Sequence, residues 1–186
     1  MTRTARIAAR VGAGALALLL APWSQGADLP QAFKPSSVFV QAGGGREVGS
    51  GAIGASWDWD WHYDATHARI TGATEALIGT WRAHDPGNNF TQVGITPVLR
   101  IWPQDWARGW FVEGGIGANA ITSRYENHGD RFSSAFQFGD HLGVGRRFGP
   151  SMEHELVLRV EHFSNLGLRD PNPGENFVQL RYQRRF

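Results

Sequence analysis

The stretch that decides the fold is the last one, Glu175-Asn176-Phe177-Val178-Gln179-Leu180-Arg181-Tyr182-Gln183-Arg184-Arg185-Phe186. Val178, Leu180 and Tyr182 share one parity; Gln179, Arg181, Gln183 and Arg185 share the other. Successive side chains of a strand point to opposite faces, so this segment is a strand with one apolar and one charged side. The pattern recurs upstream. Leu156, Leu158 and Val160 oppose Arg159 and Glu161, while Trp110, Val112, Ile116 and Ala118 oppose Glu113 and Asn119. Helix-period patterning is nearly absent. Strands are expected over 36–46, 50–61, 68–83, 89–101, 110–121, 132–148, 153–164 and 175–186. Turn signals separate them, among them Asp85-Pro86-Gly87-Asn88, Trp102-Pro103-Gln104-Asp105 and Pro171-Asn172-Pro173-Gly174. Full closure of an even-numbered antiparallel sheet removes its edges. The expected fold is all-β, an eight-stranded antiparallel barrel.

Parity alone does not say what surrounds such a barrel. A soluble barrel hides its apolar set; an outer-membrane barrel shows it to lipid and keeps a polar interior. Other features favour the membrane. Trp57, Trp59, Trp61 and Tyr63 alternate with Asp58, Asp60, His62 and Asp64, and Trp102, Trp106 and Trp110 flank a later turn. With both termini periplasmic, the two clusters share one rim, where an interfacial girdle belongs. Arg3, Arg6 and Arg10 precede an apolar run over 11–21, and small residues follow at Ser24, Gly26 and Ala27. That run is too short for a permanent span of roughly 20 residues and reads as a secretory signal. The expected organisation is a signal peptide over 1–27 and a transmembrane barrel over 28–186. Phe186 as the final residue resembles the ending of many outer-membrane barrels.

Composition removes several functions. The 186 residues suit one domain, and the net charge of +1 gives no pull toward nucleic acid. With no Cys there is no disulfide, thiolate metal site or thiol nucleophile. The Asp58, Asp60, His62, Asp64 series reads as one polar strand face, without the closed spacing of a metal site. Gly43-Gly44-Gly45 and Gly114-Gly115 lack the strand-loop-helix setting of a phosphate loop. No cofactor is expected.

One constellation carries chemistry: His162-Phe163-Ser164-Asn165-Leu166-Gly167. His162 and Ser164 are two apart on a strand and therefore neighbours on one face, the arrangement in which an imidazole activates a hydroxyl. Imidazole titrates near neutrality and suits that task. Their parity is that of Leu156, Leu158 and Val160, so the pair continues the lipid-facing stripe. A polar pair where a strand leaves the membrane has the same pattern, and the dipeptide spacing does not separate the two readings.

The run from His162 to Leu168, with Pro171-Asn172-Pro173-Gly174-Glu175-Asn176 after it, resembles the signature of PagL-type lipid A 3-O-deacylases. These are signal-bearing, eight-stranded outer-membrane barrels with a lipid-facing active site. The match is tightest from His162 to the end. The resemblance implies a serine esterase with Ser164 as nucleophile, His162 as general base and Glu175 as the acid that orients the imidazole. It implies Asn165, through its side chain, and the Gly167 backbone N–H as oxyanion donors, with Asn172 shaping the site. The implied substrate is lipid A of lipopolysaccharide, losing the ester-linked 3-hydroxyacyl chain at position 3, with no nucleic-acid partner.

Glu175 has inward parity, so a bulge or an irregular start of the strand must re-aim it; Asn176 has the outward parity and is the alternative orienting group. Glu161 points away from His162. Arg124, Arg131 and Arg169 fall in the expected external loops, where they read either as contacts for lipid phosphates or as ordinary loop charges. A non-enzymatic structural or adhesive barrel, an acyltransferase on a similar scaffold and a soluble lipocalin-like barrel remain the alternatives, and a homodimer stays open.

Overall fold

The computed structural model describes residues 33–186 except 84–88, 123–124 and 128–129. The expected signal segment, the 85–88 turn and Arg124 lie outside the described residues. Among the described residues there are ten strands: β1 Ser37–Gly45, β2 Val48–Asp64, β3 Ala68–Ala83, β4 Asn89–Pro103, β5 Trp110–Ile121, β6 Glu126–Asn127, β7 Asp130–Arg131, β8 Phe136–Phe148, β9 His154–Ser164 and β10 Glu175–Arg185. Eight of them form a closed barrel, and β6 and β7 make a small separate hairpin. Every barrel strand pairs antiparallel with its chain neighbour. Closure is made by β10 on β1, from Ser37 opposite Arg185 to Gly44 opposite Val178.

Several boundaries differ from the sequence expectation, and β2 runs over Val48–Asp64 rather than 50–61. The strand expected from 132 begins at Phe136, because Phe132 is drawn into the lumen and buried, with its N–H bonded to the Tyr125 carbonyl at 2.9 Å. Trp102 and Pro103 extend β4 rather than starting the turn, paired with Arg69 and Ala68.

The polarity is inside out relative to a soluble protein. Leu142 is 74% exposed and Ile116 64%, whereas Arg100 and Arg159 are at most 2% exposed. The buried charges neutralise one another, as desolvated ions must. Arg159 forks onto Glu75 at 2.9 and 3.0 Å and bonds Glu113. Arg100 bonds Glu113 at 3.0 Å and pairs with Glu155 at 3.0 Å. Arg181 completes the set on Glu75 at 2.6 Å and Gln41 at 2.8 Å. Above this layer, toward the end bearing the 122–135 and 165–174 loops, the lumen is filled by Trp81, Phe90, Tyr125, Phe132, Phe163 and Phe177. A polar, filled lumen inside an apolar wall is the arrangement of a small outer-membrane barrel.

At the opposite end Trp61, Tyr63, Trp106 and Trp110 are exposed as expected of a girdle, whereas Trp102, expected with them, packs against the buried Phe111 and donates to Thr71 Oγ1 at 3.0 Å. The acidic series beside them is not one continuous face. Asp58 pairs with Ala73 and His62 with Thr71, so three residues of β2 bulge opposite one of β3 and the alternation breaks there. Asp58 then takes Arg185, while Asp64 takes Arg69 at 2.6 Å.

Candidate active site

β9 places His162 and Ser164 on the outer wall, in line with Leu156, Leu158 and Val160, which are 42–57% exposed. The two lie about 6.7 Å of strand rise apart. Ser164 is covered, at 8% exposure, and stands opposite Phe138 of β8. His162 has a polar residue on each side in the sheet: Asp140 of β8 and Asn176 of β10.

Asn176 supplies the orienting contact. Its Oδ1 lies 2.9 Å from His162 Nδ1. A carbonyl oxygen only accepts, so Nδ1 carries the proton and Nε2 keeps its lone pair, the tautomer a general base requires. Gly174 closes the other edge of the ring. Its φ is +72°, and a Cβ built there would fall 2.7 Å from His162 Cε1 and 3.3 Å from Nε2. A side chain at 174 would collide with the imidazole.

Glu175 follows its inward parity. It is buried at 9% exposure, sits opposite Phe163, and its Oε2 accepts the Tyr125 hydroxyl. Its other oxygen accepts the Asn176 N–H at 3.3 Å. The structure thus brings Asn176, rather than Glu175, to the imidazole, and no bulge re-aims the carboxylate.

The loop after β9 is tied back to the strand end. Asn172 Oδ1 accepts the Asn165 N–H at 2.9 Å. Asn165 itself is buried, and its Nδ2 donates to Ser133 Oγ at 3.0 Å and to the Arg169 carbonyl at 2.8 Å. Leu166 and Gly167 turn through positive φ, +54° and +74°, closed by the Leu168 N–H on the Asn165 carbonyl at 3.1 Å. A Cβ at Gly167 would meet nothing within 4 Å, so that turn faces open space.

A groove of about 850 Å³ runs over the outer wall from His162 and Asp140 across Val160, Leu142, Leu99 and Ile116. Its walls are apolar apart from Asp140, His141 and His162. Asp140 was legible in principle, as the one carboxylate on the parity of Phe136, Phe138, Leu142 and Val144. Tyr125 and Gly174 had no local signal.

A lipid-facing Ser-His pair on an eight-stranded barrel invites comparison with known proteins. The profile of the family described as Lipid A 3-O-deacylase (PagL) matches residues 51–185. The chain belongs to the PagL family. The lipid A deacylase PagL of Bordetella bronchiseptica is 36% identical over 132 residues, covering 69% of this chain and 70% of that protein. The Pseudomonas aeruginosa lipid A deacylase PagL is 31% identical over 134 residues, covering 70% and 75%. A crystal structure of the outer membrane enzyme PagL superposes with a TM-score of 0.70 at 25% identity, covering 81% of this chain and 99% of that one. PagL membership makes this barrel an outer-membrane hydrolase acting on lipid A.

Proposed function

We propose that this protein removes the 3-O-acyl chain of lipid A by serine-esterase chemistry at Ser164. Ser164 Oγ attacks the ester carbonyl while His162 Nε2 takes its proton. The tetrahedral oxyanion is met by the Gly167 N–H and by the Asn165 amide, which exchanges the Arg169 carbonyl for the developing charge. Collapse expels the sugar oxygen, which recovers the proton from His162. Water, activated by the same imidazole, then cleaves the acyl-enzyme and releases a 3-hydroxy fatty acid.

The observation that carries this reading is the 2.9 Å contact from Asn176 to His162 Nδ1 beside Ser164 on the lipid-facing wall. Ser-His-Asn would be a neutral variant of the triad, of the kind cysteine proteases use with Asn. Glu175 serves it indirectly, holding the Asn176 backbone from inside the barrel. The groove takes the acyl chain without drawing the lipid out of the leaflet. Asp140, a carboxylate at the groove's polar end, accepts the hydroxyl of a 3-hydroxyacyl chain.

The test is mass spectrometry of lipid A from cells producing wild type, Ser164→Ala, His162→Asn or Asp140→Ala, each first shown to fold in the outer membrane. Wild type should remove one 3-hydroxyacyl chain, the Ser164 and His162 variants none. Asp140→Ala should lose preference for hydroxylated over unsubstituted chains. Unchanged lipid A in wild type would leave a structural barrel; deacylation by Ser164→Ala would discard the nucleophile.

A further inference from the structure

Trp59 does not behave like its aromatic neighbours. Trp61 and Tyr63 project from the rim at 50% and 59% exposure, as girdle residues do. Trp59 instead lies flat on the wall. The β2 bulge between Asp58 and His62 folds it across β3, where the facing residue is Gly72. A Cβ at Gly72 would fall 2.0 Å from Trp59 Cε3, so the ring occupies the place of the missing side chain. Its Nε1 donates to Thr74 Oγ1 at 3.0 Å, which satisfies the indole on the wall rather than at the headgroups.

Trp59 also borders the groove that begins at His162. The sheet register joins the two. Gly72 faces Leu99, Leu99 faces Gly114, Gly114 faces Leu142 and Leu142 faces Val160, the outward residue before His162. The row spans four strand spacings, about 19 Å at 4.7–4.9 Å each. One end holds His162, the next outward position along β9 from Ser164 toward the groove, and the other an indole fixed by a hydrogen bond.

We propose that Trp59 is the end stop of the groove and sets the length of acyl chain that reaches Ser164. This rests on the groove being the acyl site. A chain that fits lies between His162 and the indole; a longer one meets the ring and must leave the wall. Gly72 and Thr74 are the positioning residues that hold the stop.

Two measurements test it. In the first, detergent-purified enzyme receives an equimolar pair of lipid A species differing only in 3-O-acyl length, and the released acids are quantified. Trp59→Ala should raise the long-to-short release ratio about tenfold, the low end of the roughly 10- to 200-fold that one methylene commands in an apolar site. Gly72→Ala should move the ratio the same way by displacing the ring, and Trp59→Phe, which keeps the bulk, should move it least. An unchanged ratio in both Trp59→Ala and Gly72→Ala overturns the proposal. The second measurement needs no turnover. Lipid A brominated at the end of the 3-O-acyl chain is added to Ser164→Ala and to Ser164→Ala/Trp59→Phe, and tryptophan fluorescence is compared. Extra quenching in the protein that retains Trp59 supports the stop; equal quenching overturns it. If wild type releases no acid, the catalytic reading fails, and quenching decides the role of Trp59 separately.

Discussion

At the scale of single residues, the decisive choice is between two neighbours, Glu175 and Asn176. Strand parity sends them to opposite sides of the barrel wall, and the hydrogen bonds follow parity: carboxylate to Tyr125, amide to His162. Asn176→Ala should lower kcat about tenfold or more, up to the roughly 100- to 10,000-fold that a general base contributes in full. Asn176→Asp should retain more activity but shift its pH dependence. An anion beside Nδ1 favours the imidazolium, so the neutral base is lost at a higher pH and the acidic limb of the rate profile moves upward. Purified-enzyme pH profiles check both; a Glu175→Gln variant as impaired as Asn176→Ala, with an altered limb, would return the orienting role to Glu175. The outward placement of His162 and Ser164 was readable by counting in twos. The bulge at Trp59 was not, because a bulge is decided by how β2 pairs with β3 rather than by the residues of β2 alone.

At the scale of elements, the site is built where β9 and β10 meet the chain that returns from the 122–135 loop. Phe132 and Tyr125 are pulled into the lumen, and Ser133 comes to rest against Asn165. The β9 end that carries Ser164 is therefore braced from a segment about thirty residues earlier. Tyr125→Phe leaves the buried Glu175 carboxylate short of a donor. It should lower stability by about 1–3 kcal/mol, the usual penalty for an orphaned buried polar group. Urea unfolding of the barrel in detergent, followed by its gel mobility shift, measures this. The strand count and most boundaries were legible because alternation is local information. The inward fold of 132–135 was not, since Phe132 alternates as well in a strand as it packs against Tyr125.

At the scale of the whole molecule, the charged layer locks the strands together across the lumen. Arg159 alone links β9 to Glu75 on β3 and Glu113 on β5. Arg159→Met leaves Glu75 to Arg181 and Glu113 to Arg100, and the buried layer one positive charge short. It should cost about 3–5 kcal/mol, since breaking a buried ion pair leaves an uncompensated charge. The expected readout is a clearly lower urea midpoint, with the residual folded fraction still deacylating lipid A at the wild-type rate. An unchanged midpoint would mean that the ion layer is not what holds the barrel shut.

The packed lumen also bears on the cell. Among the described residues, paired ions and edge-to-face rings fill the barrel's interior at two successive levels, where a solute would otherwise pass. Many copies can then sit in the outer membrane and remodel its lipid while the permeability barrier stays intact.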